Sequence, residues 1–558
     1  MRILLLTHSF NSLAQRLLTE LRALGHTVSV EFDISDAVSE EAVALFRPDL
    51  VLAPFLKRAI PASIWSRCLC WVVHPGVPGD RGPSALDWSL QQALPRWGVT
   101  LLQAEAEMDA GPVWASQTFA LRAAKKSSVY RQEVTEAALH CVHAALDALA
   151  AQRPPQRVPG QAQRLMRQSD RAIDWQQQSS AEILARLRAA DGFPGVADTL
   201  FGQPCHLFDA WPEAELRGAV PGALLARRET AVLRATRDGA LWIGHVRCPG
   251  GIKLPTTLAF AQALELPQRA LDGWWRAPLP TWQDIAYSEA DGVGFLDFEF
   301  YNGAMGRPQC ERLRQAFVWA TTRPTRVIVL RGGADFWSNG IHLNLIEAAH
   351  SPSDASWDNI NAIDDLAETI LRCESHLTVA ALQGGAGAGG CFLARAADQV
   401  WVRAGVLLNP HYKNMGNLYG SEYWTYLLPQ RVGAAAAAAI MQQRLPMTAR
   451  AAVDCGFYDA CLESAGFADA VTQRAGALAA APALAAELAA KRQRRSSDEA
   501  VKPLAAYRAE ELQEMQRNFY GFDASYHVAR YHFVTRSPHS WTPRHLALHR
   551  ELGWKVPE

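Results

Sequence analysis

Residues 69–84 read Leu69-Cys70-Trp71-Val72-Val73-His74-Pro75-Gly76-Val77-Pro78-Gly79-Asp80-Arg81-Gly82-Pro83-Ser84. Leu69 to Val73 is a short apolar run, and the His, Pro and Gly residues after it end it as a loop ends a strand. Similar runs lie upstream at Ile3 to Leu6, Val28 to Phe32 and Leu50 to Ala53, alternating with helical patterns such as Ser12 to Leu24, which stops at Gly25. Such alternation predicts βαβ units and hence a parallel sheet. A helix predicted from Val129 to Ala151 closes the unit, and Pro154, Pro155, Pro159 and Gly160 then break the periodicity as a linker would. The first domain is placed at residues 1–155.

The chain has 558 residues, which implies roughly three or four folded units. Residues 164–255 combine one amphipathic helix, Ser180 to Ala190, with short strand-like runs such as Leu241 to Val246, consistent with a small α/β or barrel-like module. Residues 256–283 read as a linker. A second α/β pattern covers residues 284–465, with strand candidates Val293 to Asp297, Val327 to Leu330 and Val379 to Leu382. Residues 466–558 turn Ala-rich and form a helical C-terminal extension. Its charge run Lys491, Arg492, Arg494, Arg495, Asp498, Glu499 reads as a solvated helix face, and its aromatic tail from Tyr507 as a segment docked on the core.

Hydrophobic residues make up 49% and charged residues 20%, the balance of a soluble globular protein. A formal charge of −1 provides no global field for nucleic acid or anionic lipid, so small molecules are the expected partners. The 10 cysteines include no Cys-x-x-Cys pair, which argues against a zinc site or a disulfide frame, and no metal is expected. A reducing cytoplasm is the expected compartment. The opening MRILLLTHSF reads as a first strand rather than a signal peptide, and no stretch approaches the ~18 uncharged apolar residues that span a bilayer.

Beyond Ser84 the first domain continues with Gly98-Val99-Thr100 and Met108-Asp109-Ala110-Gly111-Pro112-Val113, and the second module contains Ile173-Asp174-Trp175 and Arg188-Ala189-Ala190. This ordered series resembles the folate-dependent formyltransferases, such as methionyl-tRNA formyltransferase. The resemblance implies a Rossmann-like domain, a small OB-like domain like the formyltransferases' C-terminal one, and 10-formyl-tetrahydrofolate as donor. It also implies that His74 stabilises a tetrahedral oxyanion while Asp109 keeps the imidazole protonated. Arg81, Gly82 and Pro83 match the family's substrate-binding loop. Where the family has an oxyanion-donating Asn, this chain has Val72, which argues against ordinary amine formylation. Asn11, Gln15 and Arg16, at the opening of the first helix, and Arg131 are candidates for holding an anionic tail, with a solvated helix face as the alternative.

In the second α/β pattern, Val327-Ile328-Val329-Leu330-Arg331-Gly332-Gly333 precedes Phe336-Trp337-Ser338-Asn339-Gly340-Ile341-His342-Leu343. Ala380-Ala381-Leu382-Gln383-Gly384 then leads into Gly387-Ala388-Gly389-Gly390-Cys391. Together with Leu445 to Ala452 and Gly456-Phe457-Tyr458-Asp459, this resembles the crotonases, the enoyl-CoA hydratase/isomerase family. The ββα-spiral fold follows, as does coenzyme A binding near Gly340. So does a thioester carbonyl held by the backbone N–H groups of Asn339 and Gly389. A dinucleotide-binding reading of the glycine run is poor, because no βαβ unit with a suitably spaced acid begins there. The two hydratase glutamate positions carry Phe392 and Tyr412, so hydration is not expected, and Tyr412 and Glu422 become the catalytic candidates.

The fusion of these halves, with Leu86-Asp87-Trp88 and Asn409-Pro410-His411-Tyr412-Lys413-Asn414, resembles the HypX/HoxX hydrogenase maturation proteins. That resemblance implies formyl transfer from 10-formyl-tetrahydrofolate to coenzyme A, decarbonylation of formyl-CoA to carbon monoxide for [NiFe]-hydrogenase, and transient contact with other maturation proteins. Two alternatives stay open on the residues. One is an amine formyltransferase fused to an acyl-CoA hydrolase or isomerase, and the other is a non-catalytic assembly factor that binds folate and coenzyme A.

Overall fold

The computed structural model describes residues 1–218 and 220–556. The chain divides into two compact units, Met1–Arg269 with Pro538–Glu558, and Ala270–Ser537.

In the first unit the predicted apolar runs are strands. They form a six-stranded sheet in the order Thr27–Phe32, Arg2–Thr7, Leu50–Phe55, Cys70–His74, Arg96–Gln103, Val113–Ala120. The first four are parallel, Arg96–Gln103 runs antiparallel to them, and Val113–Ala120 pairs antiparallel with Arg96–Gln103. Ile3, Leu4 and Leu5 are fully buried in succession, as strands covered on both faces require. The helix Ser12–Ala23 starts where Asn11 accepts a hydrogen bond from the Ala14 N–H, 3.0 Å away. The helix expected from Val129 begins earlier, with an α-helical turn at Lys126–Val129, and carries a π-turn, Tyr130–Val134, before the α-helix Thr135–Ala150. The second module is an antiparallel six-stranded sheet with the helix Ser180–Ala190 against it.

Residues 156–162, inside the stretch expected to be a linker, add backbone pairing to the first sheet's loops. Gln156 bridges Val113, and Gln161–Ala162 run parallel to Asp80–Arg81. The expected C-terminal extension also divides. From Pro538 the chain lies on the strand Thr27–Phe32, where fully buried Glu31 accepts from His549 Nε2 at 2.8 Å, from Arg550 Nε at 2.7 Å and from the Thr542 hydroxyl. A carboxylate so buried needs such partners.

The second unit is built on a six-stranded sheet ordered Ile285–Ala290, Val293–Phe298, Val327–Gly332, Leu377–Leu382, Gln399–Arg403, Ala460–Leu462, parallel from its second strand onward. Short strands Phe336–Ser338, Gly385–Gly387, Leu407–Asn409 and Met447–Thr448 form a second layer. The helices Pro352–Leu371 and Leu504–Tyr520 pack on this core. Lys491, expected on a solvated face, is instead buried, donating to Asp398 Oδ2 at 2.7 Å and to the His376 carbonyl at 3.1 Å. Among the described residues, no helix is long and apolar enough to cross a membrane, and no group of ≥ 3 His, Cys, Asp or Glu is placed to hold a metal ion.

Candidate active sites

His74 ends its strand with a buried ring. Its Nδ1 faces Asp109 Oδ1 at 3.6 Å, an ion-pair distance rather than a hydrogen bond, while Nε2 lies 2.9 Å from Asp80 Oδ2. A carboxylate only accepts, so Nε2 carries the hydrogen donated to Asp80. The second oxygen of Asp80 accepts from Gln163 Nε2 at 3.0 Å, so the paired segment after Gln161 clamps the site. Gly76 makes room for this dyad, because a Cβ there would stand 2.4 Å from His74 Nε2 and 2.5 Å from Asp80 Oδ2. Asp109 sits in a left-handed turn, φ 56°, and accepts from the Gly82 N–H at 3.2 Å.

The structure therefore brings His74 and Asp109 together, with Gly82 and its neighbour Pro83 beside them, and adds Asp80 and Gln163. Asp80 stood inside the opening motif but gave no signal of its role, since a Gly-flanked Asp is also a common turn residue. Val72 packs its side chain into the apolar cluster around Phe46 and Ile64 and contributes no polar donor. Arg81 pairs with Glu107 at 3.1 Å. Asn11 Nδ2 lies 3.3 Å from the Tyr130 hydroxyl, which places it next to the turn that carries Arg131. Gln15 donates to the Phe10 carbonyl at 3.0 Å, and Arg16 pairs with Glu20 at 2.8 Å along its own helix.

In the second unit Tyr412 and Glu422 meet. The Tyr412 oxygen is 2.6 Å from Glu422 Oε2 and 2.9 Å from the Ser421 carbonyl. A Cβ on Gly389 would stand 1.9 Å from Glu422 Oε1, so this glycine leaves the space the carboxyl occupies. Gly420 does the same for the Tyr412 ring, and Phe392 stacks on that ring with centroids 5.8 Å apart. Gly389 opens the helix Gly389–Arg395, so its N–H is one of the four that a helix leaves without an internal acceptor. Asn339 does not fill the expected role of second donor, because its N–H is already given to the Gly303 carbonyl at 2.7 Å. The neighbouring Gly340, with φ 74°, donates its N–H to the Ser338 hydroxyl at 3.1 Å.

Burial, and then the neighbouring Asp364, push Glu422 up to about 8, and burial raises Asp364 to about 6. Tyr412 is raised well above the usual phenol range, first by burial and then by the Glu422 charge. Glu422 and Tyr423 both hold left-handed backbone, φ 61° and 60°. For residues other than Gly such conformations cost about 1–3 kcal/mol each and persist where the surroundings over-determine them.

Comparison with known proteins agrees with both halves. The Enoyl-CoA hydratase/isomerase family model matches residues 303–543, and the Formyl transferase, C-terminal domain model matches residues 165–263. Hydrogenase maturation factor HoxX from Bradyrhizobium diazoefficiens is 53% identical over 99% of this chain and 97% of its own length. The chain belongs to the HypX/HoxX family of hydrogenase maturation factors. HypX from Aquifex aeolicus, solved in complex with tetrahydrofolic acid, superposes with a TM-score of 0.97 at 45% identity, covering 100% of both chains. Methionyl-tRNA formyltransferase from Dechloromonas aromatica is 28% identical over 42% of this chain and 77% of that enzyme. The chain joins a formyltransferase-like half to a crotonase-like half.

Proposed function

We propose that the first unit moves the formyl group of 10-formyl-tetrahydrofolate onto the thiol of coenzyme A, and that the second unit releases carbon monoxide from formyl-CoA for hydrogenase maturation. The observation that carries this reading is the buried Tyr412–Glu422 pair beside Gly389, a proton donor and a carboxyl in contact where Phe392 and Tyr412 replace the two hydratase glutamates.

In the first step a C–S bond forms, the C–N10 bond breaks and the thiol proton ends on N10. Asp80 holds the imidazole at Nε2, and the Nδ1–H, which makes no hydrogen bond to Asp109 at 3.6 Å, donates toward the tetrahedral oxygen while the Asp109 charge favours the protonated ring. The tetrahydrofolic acid bound by the Aquifex protein supports a folate in this role. In the second step the formyl C–H and C–S bonds break, an S–H bond forms and CO leaves. Glu422 takes the formyl proton, Tyr412 gives its proton to sulfur, and Glu422 returns a proton to Tyr412 along the 2.6 Å contact. The cycle then closes with both groups as they began.

Headspace CO from the purified full chain tests the reading. Given 10-formyl-tetrahydrofolate and coenzyme A, it should release CO, and without coenzyme A it should not. A formylated amine in place of CO would sink the proposal.

A further inference from the structure

We infer that Asp364 and Glu511 are positioning residues of the second site, holding the turn from Ser421 to Thr425 in the shape that lays the Glu422 carboxyl over Gly389 beside Tyr412. The inference rests on the decarbonylation reading above for its kinetic consequence, though not for its geometry.

Two consecutive residues with side chains do not stay left-handed unaided. Asp364, on the helix Pro352–Leu371, accepts from the Glu422 N–H at 2.8 Å and from the Ser421 hydroxyl at 2.7 and 2.6 Å. Glu511, on the helix Leu504–Tyr520, accepts from the Tyr423 N–H at 2.9 Å, the Thr425 N–H at 2.8 Å and the Thr425 hydroxyl at 2.5 Å. Asp364 is 1% and Glu511 0% exposed. The helix Trp424–Val432 begins directly after this turn with no cap from its own chain segment, and Glu511 takes that place. Two carboxylates from separate helices thus fix the backbone on each side of the Glu422 Cα.

They also set the field in which Glu422 works. The groups facing it are Tyr412, Asp364, Glu511, Cys310 and Cys391, with Arg508 behind Asp364 at 4.0 Å and shared with Asp365 and Glu368. Among these, Asp364 disfavours a charge on Glu422 and the Tyr412 hydroxyl favours one, while a charge on Glu422 in turn disfavours one on Glu511.

The test uses the full chain with Asp364→Asn, Glu511→Gln and the milder Ser421→Ala. The protonated-carboxyl infrared band that disappears in Glu422→Gln reports Glu422 directly. In Asp364→Asn its titration should move to lower pH by about one unit or more, because a negative neighbour is gone. On the high-pH plateau, where Glu422 is ionised in every chain, turnover of formyl-CoA to CO should fall about 10- to 100-fold in both Asp364→Asn and Glu511→Gln, with KM within about threefold, since the substrate itself is not touched. An unmoved Glu422 band together with wild-type kcat overturns the inference, as does a loss confined to KM. If Asp364→Asn and Glu511→Gln do not fold, Ser421→Ala must show a smaller shift of the same sign, and its silence overturns the inference. Should the wild-type chain release no CO, the decarbonylation reading fails while the infrared titration still decides the positioning.

Discussion

The Tyr412 oxygen lies between Glu422 Oε2, at 2.6 Å, and the Ser421 carbonyl, at 2.9 Å. A phenol has one hydrogen, and a carbonyl only accepts. When Glu422 is protonated, both contacts are satisfied at once: Tyr412 donates to Ser421 and Glu422 donates to Tyr412. When Glu422 ionises, the Tyr412 hydrogen turns to the carboxylate. The pair therefore has two hydrogen-bonded forms, and the pH at which Glu422 titrates selects between them.

If Glu422 removes the formyl proton, its ionised form is the active one. With Glu422 pushed up to about 8, kcat for CO release should climb with pH to a plateau above that value. Tyr412→Phe and Glu422→Gln should each lower kcat by about 10²- to 10⁴-fold, the usual span for a positioned proton-transfer group. A kcat that instead falls through pH 8 would exchange the two roles, and normal CO release by both variants would dismiss them.

Asp80 makes the direct hydrogen bond to His74, at 2.9 Å, whereas Asp109 stands at 3.6 Å. Asp80→Asn keeps the shape but turns an acceptor-only partner into one that also presents N–H groups. Formyl-CoA formation should drop about 100-fold, comparable to losing one oxyanion donor. CO release from formyl-CoA supplied directly should stay at the wild-type rate, because Asp80 lies in the other unit. Rate measurements on the separated half-reactions distinguish these outcomes.

How much of this could be seen in the residues alone differs between the halves. Runs such as Ile3 to Leu6 and Val327 to Leu330 are strands because a strand buried on both faces must be apolar throughout, which leaves a local trace. His74 and Asp109, Tyr412 and Glu422 were visible because motif order survives where local backbone shape is demanded, as at Gly76 and Gly389. Asp80 was in view without its role, and Gln163 lay in a Pro-rich stretch that resembles a linker but pairs with Asp80–Arg81. Asp364 and Glu511 left no trace at all. Each is a single acid in an otherwise ordinary helix, and only tertiary packing carries it to the turn around Glu422. Asn339 misled because motif matching places a residue but cannot show that its N–H is already taken by Gly303.

The return of the chain end onto the first sheet should matter for stability. His549, Thr542 and Arg550 hold Glu31 below the usual carboxylate range against the opposing effect of burial, so this contribution is present above the unfolded value and is lost as pH falls. Deleting residues 538–558 removes the three partners of Glu31 together with the cover they give the edge strand, and breaking such a buried charge cluster costs on the order of 3–5 kcal/mol. The first unit should then unfold at markedly lower temperature or purify insoluble, whereas Glu31→Gln should lie between this and wild type. Equal melting temperatures for all three chains in calorimetry would contradict the clasp.

Glu422 works in the opposite sense. Its folded value, about 8, lies above the 4.5 of an unperturbed glutamate. Its contribution to stability is therefore full below about pH 4.5 and is lost as pH rises through about 8. Asp364 is raised to about 6 and adds to the same slope at its lower end. Between about pH 4.5 and pH 8 the melting temperature of the second unit should fall, while Glu422→Gln, which has no proton to lose there, should hold a flatter curve. The difference between the two curves should open above about pH 4.5 and level off above about pH 8. Wild-type and variant curves that stay parallel across this window would mean that Glu422 ionises in the folded protein as freely as it does in water.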